Sequence, residues 1–189
     1  MTECIEPHDL RALVVEGVQH NQIGAERKRI VIEIAVGPPV WAQIDRWATL
    51  QVLDNLLSNA VKYSPWDSNV RIQLRHADDR VEVAVTDQGP GISAEDQEKL
   101  FRKHTRLSAR PTGGKSSIGL GLSIVKRLAE AMGGSVRYES RLGAGSTFIF
   151  QARTAPNESF TAAPVVSNTS LAGHGHAAIS LPSPSQNSA

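Results

Sequence analysis

The most informative stretch of the sequence runs from Asn55 to Pro65, NLLSNAVKYSP. On a helix its two asparagines, Asn55 and Asn59, lie four residues apart, so their amides project from the same face. Leucines recur at helical spacing through this stretch and the turns before it, and Asp45 is a suitable N-cap. Because Pro65 cannot continue a helix, we predict a helix that begins after Asp45 and ends near Tyr63.

Two glycine-bearing turns follow that helix, DQGPG at 87–91 and GLGL at 119–122. Glycine lets backbone N–H groups come close to a polyanion, and the dipole of a helix that begins at the second turn favours an anion. Neither turn fits the Gly-x-x-x-x-Gly-Lys-Ser/Thr pattern of a P-loop or the Gly-x-Gly-x-x-Gly pattern of a Rossmann fold. The order and spacing of the three stretches therefore indicate a nucleotide site of another kind.

The composition is that of an ordinary globular protein. The 189 residues include 40% hydrophobic side chains and carry a formal net charge of +1, which does not support binding to nucleic acid or to a membrane surface. The single cysteine, Cys4, excludes an internal disulfide and a cysteine-based metal site. The most apolar run, Ile30 to Val36, is too short to cross a bilayer. We expect a soluble, cytoplasmic chain that neither inserts in a membrane nor binds nucleic acid.

Composition also predicts the domain boundary. Residues 1–153 have the pattern of one folded domain, whereas residues 154–189 are rich in Ser, Ala and Pro and carry one charge, Glu158. Such a segment buries too little apolar surface to offset its ordering entropy, so we predict a disordered tail. The tail's His174 and His176 are not expected to bind a metal.

The pattern of the first domain alternates between helices and strands. Short alternating strands joined by hairpins, with helices segregated from them, predict a two-layer α/β sandwich. Helices are predicted from Asp9 to about Glu26, from Asp45 to Tyr63, from Ser93 to near Arg102, and from Ser117 or Ile118 to Gly133. Strands are predicted at Arg29–Val36, Val70–Leu74, Arg80–Thr86, Ser135–Ser140 and Ser146–Ala152.

Four side chains near the asparagine helix could bind a nucleotide. Asn59 offers a neutral oxygen to Mg²⁺, which takes few protein ligands when phosphates supply the rest, although a helix-surface role is the simpler alternative. Lys62 lies one turn away as a phosphate partner, and Tyr63 offers a ring face to a base. Asp87 ends an alternating strand and could accept a hydrogen bond from an exocyclic amine, or it could only initiate the turn.

Between Lys99 and Lys115 the chain carries six basic residues and no acid. This segment could close over phosphates as a flap. It could instead be a solvated loop or a docking site for an acidic partner. The candidate flap cations are Arg102, Arg106, Arg110 and Lys115.

The order of these motifs resembles the ATP-binding catalytic domain of sensor histidine kinases, within the superfamily that includes gyrase-type ATPases. The resemblance covers roughly residues 7–153. The stretches that resemble the N box, first glycine box, F box, second glycine box and closing strand pair are Asn55–Pro65, Asp87–Gly91, Phe101–Arg106, Gly119–Leu122 and Gly143–Phe150.

The resemblance implies a Bergerat-type fold, a mixed and mostly antiparallel sheet packed under about three helices. It implies ATP and Mg²⁺ as cofactors, with Asn59 as metal ligand, Lys62 as a phosphate contact and Asp87 as acceptor from the adenine amino group. It further implies transfer of the γ-phosphoryl group to a histidine on another domain or chain, and then a response regulator as partner. The implied nucleotide-binding residues are Asn55, Asn59, Lys62, Tyr63, Asp87, Gly89, Gly91, Ile92, Gly119, Leu120, Gly121, Leu122 and Thr147.

Four features of the sequence qualify that function. Hydrolysing members of the superfamily carry a glutamate where this chain has Asn55, which cannot take a proton, so transfer is favoured over hydrolysis. A phosphoacceptor hairpin does not fit in the roughly 50 residues before Asn59, so His8 is interpreted as a surface residue. His104 and Ile118 replace a phenylalanine and a small polar residue that are common in the family. Two alternatives stay open: a nucleotide-binding regulatory module without transfer activity, and a standalone serine kinase or ATPase.

Overall fold

The computed structural model describes residues 4–35, 37–102, 108, 111–112 and 120–155. Two units divide the chain, Met1–Asn157 and Glu158–Ala189. All of the second unit lies outside the described residues, so the expected tail stays a prediction.

Strands form one mixed sheet in the first unit. Its order is β1-β3-β7-β5-β4-β2, and β6 also pairs with β7. Only β2 and β4 pair in parallel among the described strands, and the other pairs are antiparallel. The strands are β1 (Glu6–Asp9), β2 (Val31–Ala35), β3 (Trp41–Ile44), β4 (Asn69–Ala77), β5 (Arg80–Asp87), β6 (Ser135–Ser140) and β7 (Ser146–Thr154).

Helices cover one face of this sheet, with the core between the two layers. Leucines of the asparagine helix and alternate valines of β5 are buried there, for example Leu53, Leu56 and Val83. The helices are α1 (Leu10–Arg27), α2 (Arg46–Tyr63), α3 (Ala94–Gln97) and α4 (Gly121–Ala131). The predicted two-layer α/β sandwich is confirmed.

The asparagine helix α2 has the predicted ends. The side chain of Asp45 accepts a hydrogen bond from the Ala48 N–H at 2.8 Å, as an N-cap does. At the other end Ser64 is already extended, because the following Pro65 disfavours helical backbone. The helix therefore ends at Tyr63, which fixes the position of Lys62 and Tyr63 relative to the sheet.

Several predicted element boundaries need correction; for example, β4 continues three residues beyond the predicted Leu74. The short strands β1 and β3 were not predicted, because four residues are too few to show a clear alternation. Helix α3 is a single turn that ends at Gln97, well before Arg102. Helix α4 begins at Gly121, later than the predicted Ser117 or Ile118, both of which lie outside the described residues. Strand β7 continues two residues beyond Ala152.

Candidate functional site

The two asparagines of α2 face the beginning of α4. A Cβ on Gly121 would lie 2.8 Å from Asn55 Oδ1 and 3.8 Å from Asn59 Nδ2, so only a glycine fits there without displacing Asn55. The Asn55 Nδ2 donates to the Gln51 carbonyl at 2.8 Å, which fixes the orientation of that amide. The predicted juxtaposition of the asparagines with the second glycine turn is therefore present at Gly121.

Asp87 is buried at the end of β5, with 7% of its surface exposed. Its Oδ1 accepts from the Gly89 N–H at 2.8 Å. Burial raises the pKa of this carboxyl above 3.8, and hydrogen bonds from the backbone N–H groups of Gly89 and Ser146 partly oppose that rise. A buried carboxyl held by two backbone donors has a fixed orientation, as a group that recognises a ligand must have.

Strand β7 lies beside Asp87 and contributes to its surroundings. Ser146 pairs with Asp87 across the strands, and Thr147 pairs with Thr86, whose hydroxyl lies 3.0 Å from the Thr147 hydroxyl. Thr147, predicted as a site residue, thus contacts the neighbour of Asp87. Ser146 was not predicted, because its contribution is a backbone N–H that any residue could supply.

The first glycine turn is packed against two other segments. A Cβ on Gly89 would lie 2.8 Å from Asp87 Oδ1 and 3.1 Å from the Tyr63 carbonyl oxygen. Gly91 has φ +69°, and a Cβ there would lie 2.1 Å from the Arg141 carbonyl oxygen. Both glycines allow close approach of backbone, so the turn holds α2 next to the β6–β7 hairpin.

Lys62 and Tyr63 lie together at the end of α2. The Lys62 Nζ is 5.6 Å from the centre of the Tyr63 ring, within cation–π range. Burial lowers the pKa of Lys62. Both side chains are half-buried and adjoin the glycine turn through the Tyr63 carbonyl.

The remaining predicted residues divide into three groups. Ile92 is buried in the core, and Leu122 packs against it. Leu120 is the N-cap of α4, and Arg102 is exposed. The predicted residues that lie outside the described part of the chain are Gly119, Arg106, Arg110 and Lys115, together with His104 and Ile118.

No sequence motif predicts one basic residue of this region, Lys28. Lys28 is buried and donates to the carbonyl oxygens of Val61 and Ser64 at 2.6 and 2.5 Å. It lies between α1 and β2, outside any motif, and its contacts are more than 30 residues away in sequence. Only the assembled fold reveals it.

Comparison with known proteins identifies the family. Residues 44–156 match the model of the histidine kinase-, DNA gyrase B- and HSP90-like ATPases. The chain belongs to this family. The match spans α2, both sides of the Asp87 turn and the β6–β7 hairpin, so it includes every predicted site residue that the structure describes.

Curated relatives are sensor kinases. The chain is 37% identical over 145 residues to the sensor-like histidine kinase SenX3 of Mycolicibacterium smegmatis, which covers 74% of this chain and 36% of that protein. It is 38% identical over 130 residues to the adaptive-response sensory kinase SasA of a Synechococcus strain, covering 68% of this chain and 34% of the relative. The chain therefore spans about a third of the length of these relatives.

Solved structures of the family share the fold. The mycobacterial sensor histidine kinase MprB matches with a TM-score of 0.70 and 26% identity over 80% of this chain and 99% of that one. The catalytic domain of the histidine kinase ThkA matches with a TM-score of 0.69 and 27% identity, covering 79% and 95% of the two chains. The resemblance to histidine-kinase ATP-binding domains is thus confirmed. Separately, none of the helices in the described ranges is both long and apolar enough to cross a membrane.

Proposed function

We propose that this chain is the ATP·Mg²⁺-binding catalytic domain of a two-component histidine kinase, which transfers the γ-phosphoryl group of ATP to a histidine on a separate domain or chain. The observation that carries the proposal is the packing of Gly121 against Asn55 and Asn59, on the helix whose end adjoins the turn that holds Asp87. The kinase ShkA, 32% identical over 82% of this chain with a TM-score of 0.71, was solved in complex with AMPPNP.

The two ends of the site suit the two ends of ATP. At the end of β5, the buried Asp87 carboxylate has one oxygen engaged by Gly89 and can accept from the adenine amino group. One turn from Asn59, Lys62 supplies positive charge for the phosphates. Tyr63 directly follows Lys62 in the chain and offers its ring to the base.

Mg²⁺ fits the donors that this site provides. The described residues contain no cluster of three or more His, Cys, Asp or Glu side chains that could hold a metal by themselves. Mg²⁺ commonly binds one or two protein oxygens and completes its shell with water and substrate phosphates. Asn59 is the residue that would hold it, and the ion would neutralise charge on the phosphates.

Transfer is favoured over hydrolysis because of Asn55. An amide cannot accept a proton at neutral pH, and here its nitrogen is already engaged by the Gln51 carbonyl. The side chain of Asn55 therefore cannot activate water. Catalysis by this chain would consist of orienting ATP and stabilising charge, while the attacking histidine comes from the partner.

This function requires partners and a supply of ATP. The immediate partner is a phosphoacceptor histidine domain, supplied in trans or by another part of a longer protein, and the next is a response regulator. Because ATP is the phosphoryl donor, we propose a cytoplasmic location for the domain.

The test is a transfer reaction with γ-labelled ATP. The chain is mixed with a phosphoacceptor domain from a related kinase, with and without Mg²⁺, and acid-labile label on that domain is measured. We expect label that disappears when the acceptor histidine is changed to glutamine and in the Asn59→Ala variant. ATP binding without label would favour the regulatory module, and acid-stable label or rapid phosphate release would favour the serine kinase or ATPase.

A further inference from the structure

Lys28 is a buried lysine whose partners are all neutral. It is 7% exposed, and among the described residues it belongs to no ion pair. Its Nζ donates to Val61 O at 2.6 Å, Ser64 O at 2.5 Å and the Thr112 hydroxyl at 2.6 Å, with Lys62 O further away at 3.3 Å. An ammonium group has three donors, so these three short contacts use its full capacity.

The energetic cost of burying this charge implies a specific role. A buried ammonium group is destabilising unless hydrogen bonds replace its water, and burial lowers the pKa of Lys28 accordingly. The compensation comes from the carbonyl oxygens at the C-terminal end of α2, where the helix dipole favours a cation. A neutral donor side chain could bind these oxygens at a lower cost in desolvation. The presence of a charged side chain at this position therefore requires an explanation.

Thr112 completes the contacts at this end of α2. Its backbone N–H donates to Lys62 O at 3.2 Å, and its hydroxyl, which accepts from Lys28, lies 2.7 Å from Ser64 O. The carbonyls of Val61, Lys62 and Ser64 are thereby bound by Lys28, Thr112 or both. Thr112 belongs to the stretch of sequence between Lys99 and Lys115, and it is the one residue of that stretch that we describe in contact with Lys28.

The residues held in this way include two of the proposed nucleotide contacts. Lys62 and Tyr63 lie between the carbonyls that Lys28 binds, and the Tyr63 carbonyl faces Gly89 of the first glycine turn. Lys28 is itself held from the other side, because its carbonyl accepts from the Asp67 N–H at 3.0 Å.

We propose that Lys28 is a positioning residue for nucleotide binding: it fixes the backbone that carries Lys62 and Tyr63, and it holds Thr112 against that backbone. The proposal rests on the proposed function, because it concerns the same site. It differs from a helix-capping role in one respect. Capping needs only the bonds to Val61 and Ser64, whereas positioning also needs the bond to Thr112.

The test compares Lys28→Met, Thr112→Val and the double variant in the full chain. Affinity for Mg²⁺ with a non-hydrolysable ATP analogue is measured by calorimetry, and the thermal midpoint is measured separately. We expect each single variant to bind about 3- to 10-fold more weakly, the loss that one hydrogen bond accounts for. The double variant should lose less affinity than the sum of the two single losses, since both changes break the Lys28–Thr112 contact while each also removes bonds of its own. The midpoint of Thr112→Val should stay within about 2 °C of the wild type, because Thr112 is exposed.

Two controls make the outcome decisive. Thr112→Ser keeps the hydroxyl and should restore wild-type affinity, which keeps the test valid even if Lys28→Met does not fold. Lys126→Met removes an exposed lysine that pairs with Glu130 at 3.8 Å and should change nothing. Unchanged affinity in Thr112→Val, or fully additive losses, would overturn the role of Lys28 while leaving the proposed function intact. A wild-type chain that binds no nucleotide would overturn both.

Discussion

At the scale of the residue, Asp87 shows how the fold changes the properties of an ordinary carboxyl. The fold buries it, orients it with two backbone N–H groups and raises its pKa. Burial costs stability when the group is ionised, and the same isolation would strengthen a hydrogen bond from the proposed ligand.

This balance predicts a pH dependence. The folded protein binds the Asp87 proton more tightly than the unfolded chain does, since the folded-state pKa lies above 3.8. The wild type should therefore gain stability relative to Asp87→Asn as the pH falls from 7 through that raised pKa, with the full gain reached below the ordinary value of 3.8. Urea unfolding of both proteins at several pH values measures it. A stability difference that does not vary with pH would contradict the assignment.

Gly91 provides a second prediction at this scale. An alanine there would combine a left-handed φ with a Cβ 2.1 Å from the Arg141 carbonyl oxygen, whereas at Gly143, with φ +82°, a Cβ would have nothing within 4 Å. Gly143→Ala should cost about 1 kcal/mol from backbone conformation alone. Gly91→Ala should cost more than about 3 kcal/mol, because neighbouring backbone must also shift. Equal losses in denaturant unfolding would show that the Arg141 contact is unimportant.

Individual site residues differed in how well the sequence revealed them. Asn55, Asn59 and Asp87 carry their chemistry in side chains that sit in short motifs, so spacing alone predicted where they would lie. Lys28 and Ser146 could not be found in that way. The Lys28 ammonium group binds backbone carbonyls of a segment distant in the chain, and Ser146 binds Asp87 through its own backbone N–H. Backbone groups are the same in every residue type, so neither contact leaves a motif in the sequence.

At the scale of the element, α2 is the helix whose limits were best predicted. Its N-cap, its apolar face and its terminating proline are all local signals, and each agrees with the others. The strands β1 and β3 depend instead on each other and on β7, with pairings such as Glu6 with Ile44. Strands of four residues have little pattern of their own, so their existence follows from the sheet and not from their sequence.

Helix α1 offers a prediction about packing between elements. Gly24 is exposed, and a Cβ there would lie 3.7 Å from Val61 Cγ1, an ordinary contact, so Gly24→Ala should raise the free energy of unfolding by about 0.5–1 kcal/mol. At the buried Gly17 a Cβ would lie 3.3 Å from Leu53 Cβ. Gly17→Ala should therefore lose this gain or become destabilising. The opposite ranking in chemical denaturation would mean that α1 and α2 are further apart than described.

At the scale of the whole molecule, the end of the domain can be placed more closely than composition allowed. Composition put the boundary at residue 153, but Thr154 donates to the Asp79 carbonyl at 3.0 Å and Ala155 to the Trp41 carbonyl at 2.9 Å. Ala155 is also buried, with 2% of its surface exposed. Thr154, the last residue of β7, and Ala155 after it thus bind the turn between β4 and β5 and strand β3.

Two truncations test this boundary. A chain that ends at residue 157 should keep the thermal midpoint of the full chain, because it retains both hydrogen bonds. A chain that ends at residue 153 loses them and should be less stable by about 1–3 kcal/mol. Scanning calorimetry distinguishes the two. A lower midpoint in the chain that ends at residue 157 would show that residues beyond 157 contribute to the fold.

Strand β7 has a further consequence for how the protein is made. It pairs with β3, β5 and β6, and in the described sheet β1 and β3 reach the remaining strands only through it. It is also the last strand of that sheet to be synthesised. A nascent chain can pair β1 with β3 and β4 with β2 and β5, but these two groups join only when residues 146–154 emerge. The high contact order of this arrangement slows folding. The surroundings of Asp87 are completed in that same step, because Ser146 and Thr147 lie on β7, so a growing chain acquires its proposed ligand site only when its sheet is whole.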